Sequence, residues 1–438
     1  MVAWNTTEAG IAIVAGARTP LGKAGTVLKS MHAEDLAKVA IQETLYRAAM
    51  GADRLDEVIL GNVVMPADAA NVARVAALWA GVPRNVPGLT VQRNCASGME
   101  AINEACMRIR AGMGRIIMAG GCESMSNVPL LFPMETLEPV GQLARAKSTW
   151  QKTKAAAALR PRHFKPTAGL ELGLTDPTVN MIMGKTAEVL VQEFGISRTE
   201  QDAYALHSHE KAVHATNAGF FDEEIVPVYA GERYEPVTRD NGPRANTTME
   251  SLGKLKPLFD RKDGSVTVGN SCQITDGAAT VLMADANLAR AEGMEPLGYV
   301  RGYAYAALDP ARMGLGPVFA IDQLLRQTGM SLADIPLFEI NEAFAGQVLA
   351  CLKAMNSAQF CREQLGRDSA LGEIDPEKLN VNGGAIALGH PVGATGARIV
   401  LTLLMEMKRR NLNLGLAALC VGGGQGAAML LERRSEWR

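Results

Sequence analysis

The same succession of strands, glycine-rich turns and helices occurs once near the start of this chain and again near its end. Asp56–Asn62 in the first half lies where Ile335–Asn341 lies in the second, and Ile117–Gly121 lies where Ala418–Gly423 lies. Matched spacing of this kind favours a duplication over a chance likeness between two α/β segments. Because strands alternate with helices in both copies, we expect two similar α/β units with parallel or mostly parallel sheets, covered on both faces.

The composition bounds the kind of protein. The chain has 438 residues, enough for two or three domains, and 47% of them are hydrophobic while only 5% are aromatic, which is typical of an α/β core rich in small side chains. A net charge of -2 argues against a nucleic-acid binder. The seven cysteines show neither a CxxC pair nor a Cys/His zinc spacing, so we expect a reducing compartment and no metal site.

The start of the chain and its apolar runs bear on location. Met1 to Gly10 is polar and carries Glu8 without a basic residue, which fits neither a secretory signal nor a transit peptide. No apolar run approaches the ~18 residues of a membrane span. We therefore expect a cytoplasmic protein.

The stretch Val91–Glu100 concentrates reactive chemistry. Cys95 follows an extended apolar segment and precedes a helical pattern, so we expect it at a helix N-terminus, where unpaired N–H groups and the helix dipole favour a thiolate. Gly98 allows close approach of backbone or ligand. A buried, inert cysteine is the alternative for any single cysteine, and it is the second half of the chain that favours the reactive interpretation.

Four segments together supply the groups of an acyl-transfer site. They hold a nucleophilic Cys, a His able to take its proton, a second Cys able to act as acid or base, and glycine-rich backbone able to offer N–H donors to an oxyanion: Asn94–Met99, Asn341–Phe344, Gly389–Gly396 and Cys420–Gly426. Asn341 adds a neutral side chain able to fix a water or donate directly. Since Cys95 and His390 lie in comparable loops of the two copies, we expect both at one crevice beyond the carboxyl ends of the strands. The glycines after His390 do not have the spacing of a dinucleotide-binding loop.

A segment of different character lies between the copies, from about Cys122 to Met249. Val140–Leu170 contains no acidic residue and carries seven basic ones: Arg145, Lys147, Lys152, Lys154, Arg160, Arg162 and Lys165. A solvated helix face explains such a patch as well as contacts to ligand phosphates, to an acidic partner or to a membrane surface. Further on, Ser197–Glu200 has the pattern of a capping box and predicts a helix that runs to Asn217.

In this order, the four segments resemble the thiolase family over nearly the whole chain. The resemblance implies the thiolase fold, in which duplicated βαβαβαββ core domains stack in a five-layered α-β-α-β-α arrangement and a loop domain is inserted in the first. The implied boundaries are residues 1–121 with 250–288 for the N-terminal core domain, 122–249 for the loop domain that binds coenzyme A and substrate, and 289–438 for the C-terminal core domain. A homodimer or homotetramer is also implied.

The resemblance implies a role for each candidate residue. Cys95 is expected to accept the acyl group, His390 to activate it, and Cys420 to handle the proton of the α-carbon. His390 and Asn341, the latter through a water, are expected to line one oxyanion hole, and the N–H groups of Cys95 and Gly422 a second. Coenzyme A is then a substrate, and no cofactor is expected. Contacts to coenzyme A or substrate are expected from Ser271, Met183, Phe344 and Gly424.

Local features indicate which kind of thiolase this is. Ile182 stands where biosynthetic short-chain members carry a His, and the segment Cys351–Lys378 is longer than theirs. This longer segment and Asn270–Gly277 resemble the thiolase subunit of the trifunctional fatty-acid oxidation complex, although those subunits usually carry His where this chain has Asn341. We expect a 3-ketoacyl-CoA thiolase of fatty-acid β-oxidation, with Arg145–Lys165 as a candidate docking surface for an enoyl-CoA hydratase/3-hydroxyacyl-CoA dehydrogenase partner or a membrane. A biosynthetic acetyl-CoA acetyltransferase is the alternative, and a non-catalytic lipid-transfer or scaffold protein on the same fold is a remote one.

Overall fold

A computed structural model describes residues 10–433 of the chain. The strands are β1 Ile11–Arg18, β2 Gly22–Lys23, β3 Glu57–Gly61, β4 Gly88–Val91, β5 Ile116–Ser124, β6 Leu130–Leu131, β7 Thr167–Ala168, β8 Thr175–Asp176, β9 Met181–Ile182, β10 Val228–Ala230, β11 Glu235–Val237, β12 Thr275–Asp285, β13 Gly298–Ala307, β14 Phe338–Ile340, β15 Leu414–Val421 and β16 Gln425–Glu432. The helices are α1 Ala33–Arg47, α2 Val72–Trp79, α3 Ser97–Arg110, α4 Leu137–Arg145, α5 Thr149–Ala158, α6 Gly169–Gly173, α7 Met183–Glu193, α8 Arg198–Asn217, α9 Met249–Gly253, α10 Ala286–Ala291, α11 Gly316–Thr328, α12 Ala345–Asn356, α13 Ala358–Leu365, α14 Ala385–Leu388 and α15 Val392–Arg410. The polar start of the chain, apart from Gly10, lies outside the described residues, as do the last residues of the expected C-terminal core domain.

The sheet makes the duplication visible. Within the described residues the strand order is β14-β15-β16-β13-β1-β12-β5-β3-β4, so the two halves meet at the β1–β13 pair. Outward from that pair, β12, β5, β3 and β4 follow in the first half, and β16, β15 and β14 follow in the second, with Leu379 bridged to Phe338 in the place of a last strand. In both halves the successive pairings are antiparallel, antiparallel, parallel and parallel. One topology has therefore been used twice.

The expectation of mostly parallel sheets is wrong. Each half is mixed, because β12 in the first half and β16 in the second run antiparallel to both of their neighbouring strands. In the second half the cause is local, since β15 and β16 form a hairpin closed by Gly422–Gly424. In the first half β12 returns to the sheet only after the long segment that follows β5. In the place of a last strand, the second half has only a single parallel bridge between Leu379 and Phe338.

Three large apolar cores separate the layers. The central core joins α3 and α15 to the inner faces of strands from both halves, while α1 and α2 cover the outer face of the first half and α11 and α12 that of the second. Neighbouring residues of β5 point into different cores, Ile117 into the central one and Met118 into the outer one. The succession of helices, sheet, helices, sheet and helices confirms the five-layered thiolase fold.

The two central helices approach each other at glycines. A Cβ on Gly98 of α3 would lie 2.7 Å from the backbone nitrogen of Ala397, and one on Gly396 of α15 would lie 2.3 Å from that of Met99. These reciprocal contacts leave no room for a side chain at either position. The N-termini of α3 and α15, each preceded by a reactive residue, are held side by side as a result.

The segment between β5 and β12 is anchored on the core by a buried charge cluster. Arg18 at the end of β1 is fully buried and contacts Glu224 at 2.7 Å and Asp240 at 2.7 Å. Burial disfavours the guanidinium charge, but the two carboxylates outweigh it and raise the pKa of Arg18. The segment also contains α8, which confirms the predicted capping box, since Ser197 Oγ accepts from the Glu200 N–H at 3.2 Å. The domain boundaries at 121, 249 and 288 stay a prediction.

In the part of the chain from Gly10 to Arg433, no helix combines the length and the apolar character that crossing a bilayer requires.

Candidate active site

Cys95 lies in a tight turn between β4 and α3. Asn94 adopts a left-handed φ of 44°, and its side-chain amide donates to the carbonyl of Gly422 at 2.8 Å. Ser97 Oγ donates to the Asn94 carbonyl at 2.7 Å and accepts from the Arg93 N–H at 2.8 Å. The sharp turn therefore presents the sulfur at the start of α3 and ties it to the β15–β16 hairpin of the other half.

The electrostatics of Cys95 are set by burial. Burial raises the pKa of the Cys95 thiol to about 11, and the charge of Glu123 acts in the same direction. The N–H groups of Gly422 and of Cys95 itself donate toward the sulfur and lower the pKa by a smaller amount. Burial therefore opposes the thiolate that the helix N-terminus favours, and a base that takes the proton at the moment of attack would offset this effect.

His390 lies between α14 and α15 and is 5% exposed. Its backbone N–H is directed to the Gln273 carbonyl at 3.2 Å and to Thr275 Oγ1 at 3.1 Å. Its Nδ1 is 2.7 Å from Thr395 Oγ1, and that hydroxyl donates its one proton to the Pro391 carbonyl at 2.9 Å. Nδ1 must then be the protonated nitrogen, which leaves Nε2 as a lone-pair acceptor.

The second ring nitrogen of His390, Nε2, carries no proton. Nε2 is buried and has no hydrogen-bond partner among the described residues. Burial lowers the pKa of His390 to about 3, and the charge of Arg398 lowers it further. The imidazole is therefore neutral at pH 7, so that its Nε2 is available as a base.

Asn341 follows β14 and is 1% exposed. Its backbone N–H donates to the Ala418 carbonyl at 2.9 Å, while both Nδ2 and Oδ1 of its side chain have no partner among the described residues. The next residue, Glu342, anchors the loop by accepting from Tyr204 Oη, Ser208 Oγ and Asn380 Nδ2. A buried amide with two unpaired ends is expensive unless a ligand or water satisfies it. This amide is therefore available to a bound group.

Three sulfurs lie near one another at this point. Cys420, near the end of β15, is 1% exposed, and its pKa is raised well above the ordinary value by burial and then by the charge of Cys95. Cys272 has its pKa raised to about 12 by burial and by the same neighbour. Because the charge of Cys95 acts on both Cys272 and Cys420, the three sulfurs lie in one cluster.

A cavity of about 400 Å³ opens onto Cys95. Its lining combines residues of the Cys95 turn, the loop after β3, the β15–β16 hairpin and the segment after β5, including Val64, Leu172, Met183 and Gly422. Three of the residues expected to bind coenzyme A or substrate lie outside this lining, although all of them are described: Ser271, Phe344 and Gly424. The apolar lining suits an acyl chain.

These three residues have internal contacts instead. Ser271 donates to the Thr267 carbonyl at 2.6 Å, and Phe344 packs edge-on against Phe259 with ring centroids 6.0 Å apart. Gly424 adopts a φ of 72°, and a Cβ there would lie 2.2 Å from the carbonyl of Leu308. Gly424 is thus required by the hairpin and its packing.

Sequence reasoning missed several groups at the site. Cys272 had been noted only as part of a segment, and Thr395 and Glu123 had no assigned role. Thr395 lies five residues after His390, a spacing that helical periodicity does not bring together, so local sequence gives no signal for this contact. For Cys272 and Glu123 the signal is absent from local sequence, because their proximity to Cys95 arises from the packing of the two halves.

The arrangement can perform acyl transfer through a cysteine. It combines a half-buried thiol, a neutral histidine with an unprotonated nitrogen, a second thiol near the first, and N–H donors from Gly422 and Cys95 directed at the sulfur. Groups of these kinds can serve as a nucleophile, its base, a second acid/base and an oxyanion-binding pair. Among the described residues, no group of three or more His, Cys, Asp or Glu is placed to hold a metal ion.

Comparisons with known proteins cover nearly all of the chain. Residues 11–287 match the family model "Thiolase, N-terminal domain" and residues 294–433 match "Thiolase, C-terminal domain". A 3-ketoacyl-CoA thiolase of Yersinia enterocolitica is 40% identical over 423 residues, which are 96% of this chain and 96% of the relative. The crystal structure of the Bacillus anthracis acetyl-CoA acetyltransferase is 40% identical, with a TM-score of 0.85 over 98% of this chain and 100% of that one. That of human mitochondrial 3-ketoacyl-CoA thiolase in complex with CoA is 35% identical, with a TM-score of 0.83 over 98% of both chains.

Proposed function

Because the chain belongs to the thiolase family and is therefore an acyltransferase, we propose that it is a 3-ketoacyl-CoA thiolase of fatty-acid β-oxidation. It would cleave a 3-oxoacyl-CoA with coenzyme A into acetyl-CoA and a shortened acyl-CoA. One observation supports this most directly: the charge of Cys95 raises the pKa of Cys420, while His390 and Asn341 keep buried polar atoms without protein partners among the described residues. The name of the Yersinia enterocolitica relative supports the degradative direction.

In the first half-reaction, His390 Nε2 takes the proton of Cys95 as its sulfur attacks the 3-keto carbon. The bond between the α-carbon and this carbon then breaks, and its electron pair forms the enolate of acetyl-CoA. Cys420 gives its proton to the α-carbon, and acetyl-CoA leaves while the acyl group stays on Cys95 as a thioester. Free thiolate is needed only during attack, which agrees with the raised pKa of Cys95.

In the second half-reaction, the Cys420 thiolate removes the proton of the coenzyme A thiol. The coenzyme A sulfur attacks the thioester carbonyl, the bond to Cys95 breaks, and the Cys95 thiolate takes back its proton from His390. The enzyme returns to its starting state, so ping-pong kinetics are expected.

Two oxyanion holes would stabilise the charges that develop. The N–H groups of Cys95 and Gly422 would receive the oxygen of the carbonyl under attack, and His390 with Asn341, through a water, that of the acetyl enolate. One such donor contributes roughly 3 to 4 kcal/mol to the transition state. The unpaired amide of Asn341 supports the second hole.

Steady-state rates across a series of 3-oxoacyl-CoA chain lengths test the degradative assignment. The apolar cavity next to Cys95 leads us to expect thiolysis of medium and long chains with kcat/KM at least equal to that for acetoacetyl-CoA. The biosynthetic alternative is favoured by the likeness to the Bacillus anthracis acetyl-CoA acetyltransferase. A rate confined to acetoacetyl-CoA, with ready condensation of acetyl-CoA, would establish that alternative.

A homodimer or homotetramer remains part of the proposal. The edge strand β4 carries backbone groups that a second copy can pair with, and the exposed side chains of Leu78 and Trp79 lie at the end of the neighbouring helix α2. Light scattering on the purified protein tests it, and a monomeric mass at micromolar concentration would contradict it.

We further infer that the basic stretch forms a docking surface for an anionic membrane. Large apolar side chains on and around α4 and α5 are exposed between its cations, among them Trp150 at 76%, Leu137 at 63% and Phe164 at 57%. Apolar side chains surrounded by Lys and Arg are suited to a bilayer interface with acidic lipids. The charge and the polarity of this surface therefore both complement those of an anionic bilayer.

Co-sedimentation with vesicles tests this surface. Binding is expected to vesicles containing phosphatidylglycerol, weaker binding to pure phosphatidylcholine, and loss of binding in the double variant Lys152→Glu with Lys154→Glu. A matched pair of exposed lysines elsewhere, Lys254→Glu with Lys262→Glu, should leave it unchanged. If neither vesicle binds the protein, a membrane is excluded, and the hydratase/dehydrogenase partner becomes the occupant to test.

A further inference from the structure

Glu123 occupies the position in the first half that Cys420 occupies in the second. In β3 and β5, Gly61 pairs with Gly121, and in β14 and β15, Ile340 pairs with Ala418. Asn62 is therefore the counterpart of Asn341, and Glu123, two residues beyond Gly121, is the counterpart of Cys420. This register corrects the match expected from the sequence, because Gly121 corresponds to Ala418 and not to the glycines at the end of Ala418–Gly423. The reciprocal glycine contacts of α3 and α15 extend the match, because they equate Gly393 with Cys95.

At this second location, the reactive groups are replaced by a hydrogen-bonded carboxylate. Glu123 is fully buried and accepts from four donors: Asn62 Nδ2 at 2.9 Å, the Val63 N–H at 3.1 Å, the Val64 N–H at 3.1 Å and the Gly393 N–H at 3.0 Å. Every partner donates, so only an ionised carboxylate satisfies all four. Gly393 is in the first turn of α15, where a negative charge is also favoured by the helix dipole.

The four donors come from the two sides of the active site. Val63 and Val64 line the cavity that opens onto Cys95. Gly393 follows His390 by three residues and belongs to the turn that orients the imidazole. The carboxylate contacts both sides, and its charge also raises the pKa of Cys95. A shift at Glu123 therefore moves the cavity wall and the base relative to the nucleophile.

We propose that Glu123 is a positioning residue, whose ionised carboxylate holds the Val63–Val64 wall and the start of α15 so that His390 and Cys95 keep the geometry required for proton transfer. Its expected effect on turnover rests on the proposed thiolase function. Its effect on the local backbone does not.

Burial raises the pKa of Glu123 to about 7, against the hydrogen bonds that lower it. Below that pH the Glu123 carboxyl group carries a proton that faces N–H donors, and at least one of its four hydrogen bonds is lost. The other titratable groups facing Glu123 are Cys95, with a pKa of about 11, and Cys122, whose pKa is also raised. His390, at about 3, does not titrate in this range. An acid limb of kcat between pH 6 and 7 is thus assigned to Glu123.

Glu123→Gln tests the proposal, because its amide keeps the shape but opposes two of the four donors with its own N–H groups. Turnover is expected to fall roughly 100-fold, the effect of misplacing catalytic groups by about 1 Å, with the acid limb removed. Hydrogen exchange at Val63, Val64 and Gly393 should quicken. The matched control is Asp56→Asn, whose carboxylate accepts the N–H groups of Arg115 and Ile116 at the opposite end of β3 and β5 and is remote from the site.

Three outcomes would contradict the positioning role of Glu123 or the proposed function. Wild-type turnover, pH profile and exchange in a folded Glu123→Gln protein would overturn the proposal. If the variant does not fold, the wild-type kcat profile decides, and a flat profile from pH 5.5 to 8 would overturn it. If the wild type lacks thiolysis, the proposed function fails, while the exchange measurement still tests the positioning role.

Discussion

The chemistry at the level of single residues depends on two neutral groups. Burial raises the pKa of Cys95 to about 11 and lowers that of His390 to about 3, so that neither is charged at pH 7 in the unliganded site. Thr395 fixes the imidazole tautomer, and Nε2 is left to accept the thiol proton. Cys95 is therefore a neutral thiol before substrate attack, and the thiolate forms only during the attack.

This state predicts the pH dependence of alkylation. At pH 7 only roughly one Cys95 in ten thousand is a thiolate if the pKa is about 11. The rate of inactivation by iodoacetamide should then rise about tenfold per pH unit from pH 7 to 9, because the thiolate is the reactive form. Loss of thiolysis activity over time measures it. An inactivation rate that does not change between pH 6 and 8 would indicate that Cys95 and His390 form a thiolate–imidazolium pair before substrate binds.

At the level of elements, the pair α3 and α15 brings the two halves of the site together. The helices touch through Gly98 and Gly396, and each begins just after a reactive turn. Their spacing sets the distance between Cys95 and His390. Packing at these glycines and catalysis are therefore coupled.

Gly98→Ala is expected to destabilise the protein and slow turnover. Its Cβ would lie 2.7 Å from the Ala397 nitrogen and 2.9 Å from the Gly393 carbonyl oxygen, so a backbone must move. Overpacking of this kind costs about 1 to 3 kcal/mol. Thermal unfolding measures it, with Gly253→Ala as the control, since no atom lies within 4 Å of a Cβ at that helical position. Equal melting temperatures for both variants would contradict close packing at Gly98.

The elements and the site differ in how far the sequence predicts them. Strands such as β5 and the helices α8 and α15 follow from apolar runs, a capping box and helical periodicity, and the duplication follows from spacing. The antiparallel strand β12 does not, because its partners are decided only when the chain returns after a long segment. Cys95, His390, Asn341 and Cys420 were identified by motif, whereas Cys272 and Glu123 depend on contacts between distant segments.

At the level of the whole molecule, the segment after β5 must dock on the core before the cavity exists. Leu172 and Met183 of this segment line the cavity beside Cys95. Arg18 joins β1 to Glu224 and Asp240 of the same segment in a fully buried cluster. The integrity of the cluster therefore bears on substrate binding as well as stability.

Arg18→Met is expected to cost about 3 to 5 kcal/mol, because two buried carboxylates lose the guanidinium that pairs with them. Chemical denaturation measures the loss, and a rise in KM for long acyl chains should accompany it. The surface pair of Arg54 with Glu292 provides the control, since Arg54→Met removes a solvent-exposed contact and should change little. A stable Arg18→Met protein with an unchanged KM would show that the cluster does not anchor the segment.

Both halves must act on one acyl group for the proposed chemistry to occur, with Cys95 as its carrier. Intact-mass spectrometry after mixing the protein with a 3-oxoacyl-CoA, in the absence of free coenzyme A, measures this directly. We predict a mass increase of one acyl group, mapped to Cys95, lost in Cys95→Ala, kept in the matched variant Cys272→Ala and removed by adding coenzyme A. An unmodified wild-type protein, or an adduct that persists in Cys95→Ala, would contradict the assignment of Cys95 as the nucleophile.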